Sequence, residues 1–150
     1  MDTIQELIAV SNKFISLVDN AQDMSFLWDC NLVLPQIYYL GQSLPDVNVS
    51  NDGTNTDNRG ENEAIVREKI DGLLNKNNYR LTNHPSTDDA AILSVHLAEI
   101  YADLNEMIVN YEKSDAGKKT DAIWDFKFNI QGHTGRHIVS VMELIHGMIY

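Results

Sequence analysis

Cysteine is almost missing from this chain: Cys30 stands alone among 150 residues. A single cysteine excludes an intramolecular disulfide and any zinc site assembled from cysteine pairs, and it fits a reducing compartment. Basic residues are scarce as well, with 11 Lys and Arg against 22 Asp and Glu and a formal charge of -11. That surface opposes direct contact with nucleic acid or an anionic membrane, and it suits a basic protein partner. No apolar run approaches the roughly 18 residues of a membrane span. The first residues carry Asp2 and Glu6 where a signal peptide would carry positive charge. These absences point to a cytoplasmic protein. Glycine-rich phosphate loops, nucleophile elbows, the His-Glu-x-x-His pattern and cysteine-histidine fingers are all lacking.

What is present is helical periodicity. With 43% hydrophobic residues, a chain of this length is the size of one domain, 1–150, and buries about 68–70% of its unfolded surface. Ile4, Leu7, Ser11, Phe14 and Val18 repeat at helical spacing, and Thr3 with Glu6 reads as a capping box. A second helix follows Asp23 as N-cap and carries Phe26 to Tyr38 at helical spacing, with Pro35 expected to kink or split it. Residues 41–60 are rich in turn formers and read as a long flexible connector, its start tacked down by Leu44 and Val47. A shorter helix over Glu61 to Asn75 turns Ile65, Val66, Ile70 and Leu73 inward, and 77–85 makes the next connection. The fourth helix starts at Ser86 or Thr87, with Asp88 and Asp89 in its first turn, and reaches Glu112. The last pattern, Asp121 to Tyr150, reads as one uninterrupted helix. The expected fold is an all-α antiparallel bundle of about five helices with a long C-terminal helix.

That last helix sets His133 and His137 against its apolar side, with Ile123, Phe126, Ile130, Val141, Leu144 and Met148 on one stripe. Trp124, Phe128, Val139, Met142 and Ile149 form a second apolar strip, which suggests a central position in the bundle, with a homodimer or protein-docking face as the alternative. On the fourth helix Asp89, His96, Asp103 and Asn110 recur every seven residues, with Glu99 one turn from His96. If the two helices turn near Asp115, Glu99 lies level with Gly132 and His96 with Gly135. His133 and His137, four apart on one face, then look across at His96, Glu99 and Asp103. One reading is an interhelical polar network of Glu99, Asp103, His133, Arg136 and His137. The other is a site for zinc or iron, or for acid/base chemistry, formed by His96, Glu99, Asp103, His133 and His137. The Glu-x-x-His pairs of two-metal carboxylate bundles are absent. Gly135 reads as a point of close helix approach. His84 and His146 read as an ordinary loop residue and a helix-end residue.

The segments Ala122-Ile123-Trp124-Asp125-Phe126-Lys127-Phe128, His133-Thr134-Gly135-Arg136-His137 and Leu97-Ala98-Glu99-Ile100-Tyr101-Ala102-Asp103-Leu104 carry a family likeness. Leu34-Pro35 with Tyr38, and Leu44-Pro45-Asp46-Val47, add to it. Through them the chain resembles a bacterial family known only as domain of unknown function five-zero-six-three. Thr134 departs from the family pattern where an aromatic is common, and Arg80 to His84 departs where a more hydrophobic segment precedes the proline. The resemblance implies a helical fold and a bacterial cytoplasmic setting, without an activity. It places Glu99, Asp103, His133, Gly135 and His137 at motif positions. The first functional expectation is a non-catalytic module, monomer or homodimer, that binds a basic protein and needs no cofactor. The alternative is the site just described, loaded with a divalent metal or acting as an acid/base pair. Mimicry of nucleic acid by the acidic surface is a third reading.

Overall fold

The computed structural model describes residues 2–48, 59–76 and 88–149, including their side chains except at 59, 75–76, 88–92 and 149. Within these residues the chain forms six helices: α1 (Thr3–Asp19), α2 (Phe26–Gln42), α3 (Arg59–Lys76), α4 (Asp88–Lys113), α5 (Lys119–Gln131) and α6 (His133–Ile149). The all-α reading holds, but its final helix is two. The backbone N–H of Gly132 closes α5 on the Phe128 and Asn129 carbonyls, and the Gly132 carbonyl accepts from Arg136 N–H to open α6.

The break changes which residues face inward. In α6 the buried positions are Thr134, Gly135, Ile138, Val141 and Ile145, so Ile138 and Ile145 take the places an unbroken helix assigns to Leu144 and Met148. Leu144 and Met148 are only partly buried. Phe128 and Val139, read as part of a second buried strip, are 59% and 51% exposed. Trp124 stacks on Phe128 with ring centroids 4.8 Å apart. The central element is instead α4, which packs against α1, α3, α5 and α6. Its Leu93, Leu97, Ile100 and Leu104 are sealed in the same core as Phe14, Leu27, Ile37 and Phe126.

Local signals were displaced by a residue or two. Asp2, not Thr3, caps α1, its carboxylate accepting from Gln5 N–H at 3.0 Å. Asp23 accepts from Ser25 N–H at 2.8 Å in the turn before α2 rather than capping the helix, and α2 runs through Pro35 without splitting. In α3, Val66, Ile70 and Leu74 are buried, whereas Ile65 is 60% exposed. Gly41, read as the start of the connector, is the last buried residue of α2, where a Cβ would strike the Ile130 side chain. Leu44 is buried, and Lys127 Nζ donates to its carbonyl and to Asp46 at 2.8 and 2.6 Å. The connector's middle (49–58), the 77–87 segment with His84, and the expected caps Ser86 and Thr87 lie outside the described residues.

Tertiary ties run back to α1. Tyr101 Oη on α4 donates to Asp19 at 2.8 Å, and Lys69 on α3 donates to the Asp19 carbonyl. Gly72, on the outer side of α3, has nothing within reach of an added Cβ. Gly72→Ala is therefore expected to stabilise the fold by about 0.5–1 kcal/mol through helix propensity alone, read as a higher urea midpoint.

Candidate functional site

The site lies where α6 begins and α4 passes beside it. Its pairings run in opposite order along the two helices, His96 to His137 and Asp103 to His133 and Thr134, so α4 and α6 are antiparallel. Gly135 makes this junction. An added Cβ there would collide with the backbone carbonyl of Ile130, and Tyr38 lies 3.4 Å away. Only a glycine lets the first turn of α6 fold back against the end of α5, and that turn carries both His133 and Thr134.

A chain of hydrogen bonds links the polar groups. His96 Nδ1 lies 2.7 Å from His137 Nδ1, His137 Nε2 lies 3.2 Å from His133 Nε2, and His133 Nδ1 lies 2.9 Å from Asp103 Oδ2. Thr134 Oγ1 donates to the same Asp103 oxygen at 2.7 Å. The carboxylate can only accept, which assigns the proton at His133 to Nδ1. In a neutral ring His133 Nε2 is then a lone pair that accepts from His137 Nε2–H, and His137 Nδ1 in turn accepts from His96 Nδ1–H. Burial holds His137 below the ordinary histidine pKa, reinforced by His133 and then His96, and burial does the same for His96 against the pull of Glu99. Both shifts favour the uncharged rings that this chain requires.

The Asp103 side chain is 4% exposed, and the donors His133 and Thr134 both come from the first turn of α6, where the helix dipole favours an anion. Thr134 is fully buried; its departure from the family pattern is visible in the sequence, but its partnership with Asp103 is not, because a threonine in a helix has no distinctive signal. Thr134→Val keeps the shape and removes the donor. It is expected to cost about 1.5 kcal/mol, at the low end for a bond to a charged group because Asp103 retains His133. Urea unfolding checks this, and no loss would mean that the hydroxyl contributes nothing.

A second convergence is superimposed on the chain. Glu99 Oε2 lies 3.7 Å from His133 Nε2 and 4.0 Å from His137 Nε2, and these three atoms form a group able to hold a metal ion. An ion with bonds of about 2.0–2.2 Å in tetrahedral geometry separates its ligand atoms by about 3.4 Å. The observed separations of 3.2, 3.7 and 4.0 Å bracket that value. The His133 side chain is 47% exposed, which opens one side of the group to solvent, while Glu99 is 19% and His137 17% exposed.

Thus the structure brings together His96, Glu99, Asp103, His133 and His137. Arg136, expected in the network, is exposed, and no ion pair joins it to a described residue. Asp89 falls in α4, with its side chain outside the described set. Cys30 offers no thiolate at neutral pH, because burial, and secondarily Asp29, push its thiol up to about 12. Among the described residues, no helix is long and apolar enough to cross a membrane.

Fold and site together define an all-helical protein with a histidine and carboxylate cluster between two antiparallel helices. The chain belongs to the family described as Domain of unknown function (DUF5063), whose model matches residues 1–150. It is similar to the crystal structure of protein BF1032 from Bacteroides fragilis, with a TM-score of 0.80 and 20% identity over 100% of this chain and 97% of that one. At that identity the likeness concerns the fold. No curated protein matches the sequence.

Proposed function

We propose that the chain is a divalent-metal protein whose ion is held by His133 Nε2, His137 Nε2 and Glu99 Oε2. The observation that carries this is the support behind the donors. Each ligand histidine has its other ring nitrogen on a fixed partner, Asp103 for His133 and His96 for His137. Metal-binding imidazoles characteristically donate their other N–H to a fixed acceptor, as His133 does to Asp103, and the carboxylate-histidine pair raises ligand basicity. Two imidazoles and a carboxylate suit zinc or iron(II), and three protein ligands with a solvent-facing side leave room for water or substrate.

Calorimetric titration of chelator-treated protein with zinc tests the proposal. Wild type is expected to take up one ion per chain, Glu99→Gln to bind much more weakly, and His133→Ala with His137→Ala to bind none. Wild-type protein that shows no saturable uptake would remove the proposal.

A second reading, binding of a basic protein, draws support from the outer side of α2. Trp28, Leu32 and Tyr39, spaced by four and seven residues, are 47%, 67% and 70% exposed. Beside them Pro35, Gln36 and Leu40 line an open groove of about 480 Å³ with Glu6, Ala9 and Val10. The groove has no basic residue and the chain's net charge is -11, so a lysine-rich amphipathic helix is the fitting occupant. A synthetic peptide of that kind is expected to change Trp28 fluorescence, with the response weakened by salt and by Tyr39→Asp. A response untouched by Tyr39→Asp would count against this surface.

A further inference from the structure

Resting on the metal reading, we propose that His96 is the positioning residue that fixes His137 as a ligand, and that loading the site reverses the hydrogen bond between the two rings. The starting arrangement is the one assigned above: His96 Nδ1–H donates to His137 Nδ1 across 2.7 Å, and His137 Nε2–H donates to His133 Nε2 across 3.2 Å. A metal ion needs the lone pairs of both Nε2 atoms. His133 already presents its own, because its proton sits on Nδ1 facing Asp103. His137 does not, because its proton occupies the ligating nitrogen.

Loading therefore requires a tautomer exchange. The proton on His96 Nδ1 crosses to His137 Nδ1, the proton on His137 Nε2 leaves to water as the ion takes that lone pair, and water returns a proton to His96 Nε2. Both rings begin and end neutral, and no net proton is released. In the loaded form His137 Nδ1–H donates to the bare Nδ1 of His96. The 2.7 Å separation serves either direction equally, since both atoms are ring nitrogens. His96 thus does for His137 what Asp103 does for His133, but as a neutral acceptor it allows the reversal. The two ligands are then unequal: His133 is preset and His137 is switched.

The test is nitrogen NMR of the histidine rings in wild-type protein during a zinc titration, with zinc affinities of two variants beside it. The His96 Nδ1 signal is expected to move from the protonated to the lone-pair range as zinc binds, while His133 Nδ1 stays protonated. His96→Leu, which has no acceptor, is expected to weaken zinc binding 10–100-fold. His96→Gln, whose amide oxygen can accept from His137 Nδ1–H, is expected to remain within a few-fold of wild type. A His96 Nδ1 that stays protonated in the zinc form, a His96 ring that itself coordinates zinc, or a His96→Leu variant as tight as wild type would each overturn the inference while leaving the metal site standing. Wild-type protein that takes no zinc would overturn both. The NMR outcome needs no variant, so it decides the matter even if His96→Leu fails to fold.

Discussion

Zinc at a free concentration about 100 times its Kd is expected to raise the melting temperature of the wild-type chain by about 5–11 °C, and to leave the His133→Ala, His137→Ala double variant unmoved. The size follows from mass action. An ion that binds only the folded state adds about 2.7 kcal/mol at that concentration, and a chain of this length shifts by about 2–4 °C for each kcal/mol. The folded state is the selective one because Glu99, His133 and His137 come from helices far apart in sequence and meet only when α4 and α6 pack. The unfolded chain keeps His133 and His137 four residues apart but has no Glu99 beside them. Differential scanning calorimetry with and without zinc measures the effect. A rise of equal size in the double variant would place the ion elsewhere on this acidic surface.

Gly135→Ala, ordinarily a stabilising exchange inside a helix, is expected to cost about 2 kcal/mol net here. Alanine gains about 1 kcal/mol of helix propensity. Against that gain stands a collision between the new Cβ and the Ile130 carbonyl, a backbone atom that cannot swing aside as a flexible side chain would. Relief requires α6 to move away from the end of α5, which disturbs the contacts of Ile130, Thr134 and Ile138, all completely buried. Overpacking of this kind typically costs 1–3 kcal/mol, and a backbone obstacle belongs at the upper end. The same displacement moves His133, so zinc binding is expected to weaken in parallel. Urea unfolding gives the stability, and a midpoint equal to wild type would show that the junction accommodates a methyl group. Gly72→Ala, with open space around it, is the matched control with the opposite sign.

The pairing of α4 with α6 was legible because a hairpin turning near Asp115 fixes which residues are level. It placed His96, Glu99 and Asp103 opposite His133 and His137, as the distances bear out. The break at Gly132 was not legible. Two apolar strips on one continuous projection suggested a central helix, whereas a change of direction at Gly132 rotates the second half and turns Ile138 and Ile145 inward. Gly132 and Gly135, three residues apart, were the available signal, but a helix tolerates isolated glycines and their spacing alone does not mark a junction. Arg136, on another side of the last helix from the two histidines, was expected to extend the network by pairing with a surface acid, and it is exposed. Thr134 stood out only as a departure from the family pattern; its bond to Asp103, 31 residues earlier in the chain, was not legible. Periodicity reports the burial of a side chain on its own helix; it carries no information about which buried hydroxyl meets a carboxylate on another.

The surface of α2 gives the same lesson from the other side. Leu32 and Tyr39 are apolar or aromatic yet mostly exposed, because α2 already uses Leu27, Cys30, Leu34 and Ile37 to face the core. A helix hydrophobic nearly all round does not reveal which side lacks a neighbour. The Pro35 position is similar: proline removes a donor and was expected to kink or split α2, but packing on α1, α5 and α6 keeps Phe26–Gln42 one helix through it.

The most direct measurement is anomalous diffraction at the zinc absorption edge from crystals of zinc-loaded protein. The expected result is one strong peak between α4 and α6, about 2.0–2.2 Å from His133 Nε2, His137 Nε2 and Glu99 Oε2, with His96 Nδ1 against His137 and Asp103 against His133. A cluster that stays free of zinc while His133 still hydrogen-bonds His137, or a peak held by other side chains, would contradict the account.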